Sequence, residues 1–239
     1  MTKNEIFSLS MDIGQQIMKS GGEIHRAKDT IIRINNAYGN SCVIFALPTL
    51  LIAQCNSKTE IRRIEKEELD LAELARLNAL SRKLCSNPYD EILITKNTSY
   101  GNKFQYPAIF AATFSFCLFF GGNVIDAVLS GIIGIIITLI NKSYSDKSLP
   151  IFSTNLIEAF FAGILAYLPS VISVHIHPDK IIIGAIMLLV PGLTVVNAMR
   201  DMMNSDLIAG FIELINAVMS ALAIALGIAV SIFIFNGNS

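Results

Sequence analysis

Apolar residues recur along the first forty positions at helical intervals, and beyond Phe104 they merge into long uninterrupted runs. Ile6, Leu9, Ile13 and Ile17 step by three or four residues from Asn4 to Met18, which places them on one face of a helix. After Gly21-Gly22 the pattern repeats with Ile24, Ala27, Ile31, Ile34 and Tyr38, and Gly39-Asn40 supplies the stop signal. Cys42–Leu47, Thr49–Cys55 and Thr59–Ile64 are short β-favouring runs around Pro48, which predicts a small sheet. Lys66–Cys85 is rich in Glu, Leu and Ala and predicts a third helix that Pro88 should close.

From Phe104 onward the runs are long enough to cross hydrocarbon, which takes about 20 apolar residues per helix. They predict spans at about 104–120, 124–140, 149–174, 181–199 and 207–235, separated by Gly121-Gly122-Asn123, NKSYSDKS, HIHPDK and the polar stretch from Arg200 to Asp206. The expected fold is therefore a membrane all-α bundle of about five transmembrane helices over 104–239, preceded by a small α+β cytoplasmic domain over 1–103.

Charge sharpens this division. Of the 18 Lys and Arg residues, 14 precede Phe104, leaving Lys142, Lys147, Lys180 and Arg200 downstream. Because cytoplasmic loops retain positive charge, the expected topology has the amino terminus inside and the carboxyl terminus outside a cell membrane. The opening MTKNEIFSLSMDIGQQ has no apolar core with a small-residue cleavage site, so no signal peptide is expected. No basic stripe with interleaved aromatics points to nucleic acid. Cys42, Cys55, Cys85 and Cys117 form no C-x-x-C pair and lack a nearby His at zinc spacing, so ordinary reduced thiols are expected, with no metal and no cofactor.

The informative residues are those that cost free energy in lipid. An ionisable side chain at a helix centre costs about 2.5 to 3.5 kcal/mol on insertion scales, so Asp126, Glu158 and Glu213 require compensation. Asn155 shares a helical face with Glu158, and Asn216 and Ser220 share one with Glu213, giving two polar stripes that should face protein or a cavity. Pro191-Gly192 should interrupt the fourth span. Thr194, Asn197 and Asp201 follow on one side, with Arg200 adjacent. Interruptions of this kind expose half-helix ends that meet ions or anionic substrate groups in transporters. The candidate path is accordingly Asp126, Glu158, Pro191, Gly192, Asn197, Arg200 and Asp201, with Asn155, Thr194, Asp206, Glu213 and Asn216 in secondary place.

Other features have plainer readings. Ala217, Ala221, Ala225 and Ala229 form a small-residue stripe that should contact another helix, and Ala127–Gly131 with Ser130–Gly134 repeats the device in span two. His25 near Glu23 and Asp29 fits a solvated helix face, because no second His lies at ligand spacing. His175 and His177 belong to a polar outer loop.

Three segments carry a resemblance. The run VPGLTVVNAMRDMMNSDLIAGFIEL, the early SGGEIHRAKDTIIRINNAYG and the turn FFGGNVIDA together resemble the threonine/serine exporter family, and the likeness covers nearly the whole chain as that family's N-terminal half. Ala27-Lys28 stands where the family pattern has Val-Glu, and Asn204-Ser205 where it often has Gly. In length the chain resembles the larger subunit of the family's two-component succinate exporters. The resemblance implies a second small membrane subunit and marks Asp126, Pro191, Gly192, Arg200, Asp201, Asp206 and Gly210 as pattern positions.

The expected function is a subunit of a secondary exporter for a small carboxylate-bearing metabolite, a threonine- or serine-type amino acid or a dicarboxylate such as succinate. Arg200 or the positive end of a half-helix would attract its carboxylate, while Glu158 or Asp126 exchanges a proton. No G-x-x-x-x-G-K-[ST] motif is present, so an ion gradient is the expected driving force. The rival reading is a membrane-anchored sensor or scaffold whose cytoplasmic domain binds a ligand or partner. An enzyme is not expected, since no nucleophile-base pair or metal cluster lies in one predicted layer. Expected partners are the substrate, membrane lipid, and either the second subunit or further copies of the chain.

Overall fold

The computed structural model describes residues 2–64, 69–86, 104–144, 149–170 and 175–236. Lys147, Pro88, the end of the third predicted span at 171–174 and the carboxyl-terminal residues 237–239 fall outside the described residues. The chain is mostly helical, with one three-stranded sheet. It divides into two compact units, Met1–Ser99 with Leu193–Ile215, and Tyr100–Gly192 with Asn216–Ser239.

In the first unit, α1 (Lys3–Lys19) begins at a capping box in which the Thr2 hydroxyl accepts from the Glu5 amide and the Glu5 carboxylate accepts from the Thr2 amide. α2 (Ile24–Ala37) follows a Gly21 at positive φ, where a side chain would be strained. The strands β1 (Cys42–Leu47), β2 (Leu50–Cys55) and β3 (Lys58–Arg63) form an antiparallel meander in that order. Leu51, Ala53 and Cys55 of β2 point inward and pack with Ile6, Phe7, Ile17, Ile31 and Ile34 of the helices. α3 (Leu71–Ser86) closes the core with Leu74, Leu77 and Leu84. It starts at Leu71, where Asp70 accepts from the Glu73 amide and caps the first turn; Lys66, the expected start, lies outside the described residues. Two further findings complete this unit. Glu60 is buried against Lys58, Arg62 and Ser8, and although burial works to raise its pKa, these partners hold it below the usual carboxylate value. Cys42 and Cys55, expected as separate reduced thiols, are joined in a disulfide, while Cys85 and Cys117 are free. Hairpin register explains the correction: the two positions face each other directly, a proximity that their spacing along the chain does not reveal.

The second unit contains α4 (Gln105–Phe119), α5 (Val124–Tyr144), α6 (Ile151–Ser170), α7 (Pro178–Ile186) and most of α9 (Leu207–Asn236). Among the described residues, α5, α6 and α9 are long and apolar enough to cross a membrane, and α4 is a shorter apolar helix of 15 residues. The fourth expected span is divided into α7, of 9 residues, and α8 (Gly192–Met203), of 12. Residues 187–191 separate them, which places the interruption where Pro191 removes an amide donor. The chain also passes from one unit to the other at this point.

Small residues set the helix spacing. Gly131 lies under Phe110, Gly134 lies under Thr113, and the Ser130 hydroxyl donates to the Thr113 carbonyl, so span two packs on α4 through the Ala127, Ser130, Gly131 and Gly134 face. α9 behaves otherwise. Its buried seam runs through Ala217, Ser220, Ala223, Gly227 and Ser231, whereas Ala221, Ala225 and Ala229 are exposed. A strict four-residue step drifts about 40° per step around a 3.6-residue helix, so the alanine stripe leaves the packed face after Ala217. At this seam an added Cβ on Gly163 would fall 1.8 Å from the Ser231 hydroxyl oxygen. Gly163→Val should therefore lower the thermal unfolding midpoint in mild detergent, by an overpacking cost of about 1 to 3 kcal/mol. Ala221→Val, on the exposed face, should leave the midpoint unchanged.

Candidate functional site

The expected path residues separate into three local arrangements. The first, in the first unit, is built on the amino terminus of α2. A helix start leaves backbone donors without partners, and Glu23 at the cap position provides no side-chain bond. Asp201, in the last turn of α8 and fully buried, supplies it instead: its two carboxylate oxygens accept from the Ile24 amide at 3.3 Å and the His25 amide at 3.0 Å. Around this tertiary cap Arg200 pairs with Glu23, Lys28 pairs with Asp206, His25 Nδ1 lies 3.6 Å from the other Asp206 oxygen, and the Asn197 amide donates to the Gly21 carbonyl. Burial is the main cause that pushes the Asp201 carboxyl above the ordinary Asp range. The His25 and Ile24 amides oppose it, and the nearby Glu23 and Asp206 charges add to it. The Glu23, His25 and Asp29 triplet is thus not uniformly solvated: Asp29 is exposed beside Arg33, while Glu23 and His25 face Arg200 and Asp206. Thr194 is half-buried on α8, Gly192 is exposed at its start, and Gly210 of α9 approaches the Ala198 carbonyl so closely that a Cβ would lie 2.5 Å from it.

The second arrangement is at the start of α5. Asp126 is 0% exposed, and its carboxylate accepts from the Asn123 amide at 3.0 Å and the His177 amide at 3.1 Å. The Asn123 side chain in turn accepts from the Asp126 amide and donates to the His175 carbonyl. His177 Nδ1 stands 3.0 Å from the same carboxylate. Asp126 therefore closes a capping box on α5 and binds the residue that precedes α7, with Pro178 at that helix's first position.

The third arrangement encloses space. A cavity of about 240 Å³ in the second unit is lined by Gln105 of α4, Thr138, Asn141 and Lys142 of α5, and Glu158 of α6, with apolar wall from Ala185, Leu188 and Leu189. The interrupted fourth segment thus supplies one side of it. Glu158 is 1% exposed and accepts from the Asn141 side chain at 2.5 Å. Lys142 Nζ donates to the Tyr106 hydroxyl at 3.2 Å and lies 4.7 Å from that ring's centroid. Asn155, on the Glu158 face of α6, turns instead to Ser220 of α9. On α9 Glu213 is buried and Asn216 exposed.

A family model described as "putative threonine/serine exporter" matches residues 8–235, nearly the whole chain. The chain belongs to that exporter family. No curated protein and no solved structure matches it.

Within this exporter the sequence singled out Glu158 but missed the residues that complete its surroundings. Asn141 and Lys142 read as the beginning of a polar loop, yet α5 continues through Tyr144 and carries both onto the cavity wall. A signal was present: Asn141 and Lys142 stand three and four residues after Thr138, the same periodicity that marked the other polar stripes. The α2 partners of Arg200, Asp201 and Asp206 lie more than 170 positions away and had no local signal.

Removing the tertiary cap should loosen the start of α2. Asp201→Ala should cost about 1 kcal/mol, read as roughly five-fold faster amide exchange across the first turn of α2. The pH dependence has a defined sign. A carboxyl whose pKa is raised by folding contributes stability that is complete below the unfolded value of about 3.9 and is lost as pH rises through the raised value. Wild type should therefore gain protection relative to Asp201→Asn as pH falls from neutrality towards that range, and a pH-independent difference would contradict the buried-carboxyl account.

Proposed function

We propose that the chain is a subunit of a secondary exporter that moves a small carboxylate-bearing metabolite outward, drawn from threonine- or serine-type amino acids or dicarboxylates such as succinate. The carrying observation is the cavity beside the interrupted fourth segment, where Glu158 is buried next to Asn141 and Lys142 also reaches the wall. A carboxyl group held in poorly solvated surroundings is suited to taking up and releasing a proton, and an interrupted helix is suited to rearranging around a bound solute. An ion gradient supplies the driving force, in keeping with a sequence that has no nucleotide-binding loop.

Glu158 is the member of the expected path best disposed to carry the proton. Asp126 is engaged by two backbone amides and His177, and Arg200 by Glu23. The Arg200–Asp206 stretch then has a second duty, joining α8 to α2 within the first unit. We read the topology as five spans with the amino terminus in the cytoplasm, the fourth covering about 181–199 and interrupted at Pro191. The charge asymmetry between the two halves supports this reading. A reducing cytoplasm is compatible with the β1–β2 register, which brings Cys42 and Cys55 together in either oxidation state. The exposed Ala221, Ala225 and Ala229 face suits close approach by a helix of a second small membrane subunit or of another copy.

Cells that overproduce the chain with its membrane partner should export radiolabelled threonine or succinate faster than controls, and a protonophore should abolish the difference. Glu158→Gln should reduce export at least ten-fold at unchanged membrane abundance. Export that continued unaltered in this variant would remove Glu158 from the coupling step.

A further inference from the structure

The open end of the β1–β2 hairpin carries two sulfurs that have no part in the transport reading. Cys42 begins β1, Cys55 ends β2, and the register sets them directly opposite one another as a bonded pair, with Cα atoms 4.2 Å apart. The Asn56 amide donates to the Ser41 carbonyl at 3.4 Å, so the neighbouring pair is of the hydrogen-bonded kind and the cysteines occupy the alternate kind. At such positions an antiparallel sheet holds Cα atoms about 4.5 Å apart, the short limit of what disulfides usually span, and a bond held at that limit is easier to reduce. The bond also joins positions only 13 residues apart, the short-loop case in which a cross-link adds least to stability. Both features favour a bond that exchanges over one that is locked.

We propose that Cys42 and Cys55 form a reversible redox site, which exchanges with small-molecule disulfides and thiols through the Cys42 sulfur. The proposal stands independently of the exporter reading. Cys42 is half-buried on an edge strand, whereas Cys55 is 3% exposed and packed in the core. An incoming reagent therefore meets Cys42 first. In the oxidising direction the Cys42 thiolate attacks a small-molecule disulfide, forming a mixed disulfide and releasing one small thiolate. The Cys55 thiolate then attacks the Cys42 sulfur, the protein disulfide forms, and the second small thiolate leaves. The protein gives up two electrons and two protons, and the reagent takes both as two thiols. Reduction runs these steps backwards, starting with a small thiolate at the Cys42 sulfur.

The oxidation state is passed to the helices by the side chains around the pair. Asn40 is 3% exposed, and its amide donates to the Lys3 carbonyl at the start of α1 and to the Asn35 side chain of α2. Asn35 is 0% exposed and donates to the Ser10 hydroxyl of α1. Asn56, which follows Cys55, donates its side-chain amide to Asn40. The cysteines thus border a buried amide network that ties α1 and α2 to the sheet. Unbonded sulfurs cannot approach as closely as bonded ones, and Cys55 is confined by the core, so reduction moves Cys42 and the backbone next to it. The Ser41 carbonyl then draws away from the Asn56 amide and Asn40 loses its Asn56 partner, a loss felt most where amides are buried.

The test equilibrates open membrane fragments bearing the full chain with mixtures of reduced and oxidised glutathione. Samples are acid-quenched, blocked with N-ethylmaleimide and digested, and bonded and blocked Cys42 and Cys55 peptides are counted by mass. At fixed oxidised glutathione, an approximately ten-fold rise in reduced glutathione should shift the ratio of reduced to oxidised protein about a hundred-fold, because two thiols are consumed per bond. The midpoint should be the same from either starting state. In Cys55→Ser, glutathione should be found on Cys42, whereas Cys55 of Cys42→Ser should take none in the folded chain. Hydrogen exchange in peptides covering Asn35 to Asn40 and Asn56 should quicken roughly five-fold on reduction, the loss of about one hydrogen bond, with α3 unchanged. The Cys42→Ser/Cys55→Ser double variant should match the reduced form. A wild-type pair that stays bonded in about a hundred-fold excess of reduced glutathione, or that never bonds in oxidised glutathione, overturns the redox site. Equal exchange rates in the two states overturn its link to α1 and α2.

Discussion

A carboxyl group placed among apolar helices has few stable arrangements: it can be bonded by backbone donors, paired with a cation, or kept beside enough space for a proton or solute to reach it. The second unit uses the first for Asp126 and the third for Glu158, and the contrast organises the unit. Asp126 has its oxygens occupied by amides and an imidazole, and it fixes where α5 and α7 begin. Glu158 has one side-chain partner and a cavity. Two buried acids are thereby given unlike work, one holding helix starts together and the other facing a cavity.

The same economy governs the first unit. α2 begins without a local cap, and the deficit is made good by an aspartate from the other side of the sequence. Arg200, Asp201 and Asp206 are thus bound to Glu23, the α2 amides and Lys28. Lys28 supplies an ammonium group to Asp206.

Local periodicity made most elements readable in advance. α1, α2 and the three strands begin and end within one or two residues of the sequence reading, because Gly21-Gly22, Gly39-Asn40 and Pro48 act through local backbone geometry. The division of the fourth span was readable for the same reason, since proline cannot continue the hydrogen-bond ladder. What remained hidden depended on register or on distance. The apposition of Cys42 and Cys55 follows from strand pairing, the outward turn of Ala221, Ala225 and Ala229 from the drift of a four-residue step, and the Asp201 cap from a contact between residues 176 positions apart. Glu158 could be named from its cost in lipid alone. Its neighbours Asn141 and Lys142 carried only their spacing from Thr138 as a signal, and how far α5 extends decides whether that spacing counts.

The tertiary cap also bears on assembly during synthesis. The first unit draws on residues from both Met1–Ser99 and Leu193–Ile215, so the amino-terminal portion emerges from the ribosome with the α2 start still open and must wait for α8 before its last bonds can form. Helices α4 to α7 are made in between. The first unit is complete only once the chain has been made through Ile215, so the bonds that close the start of α2 form late in synthesis.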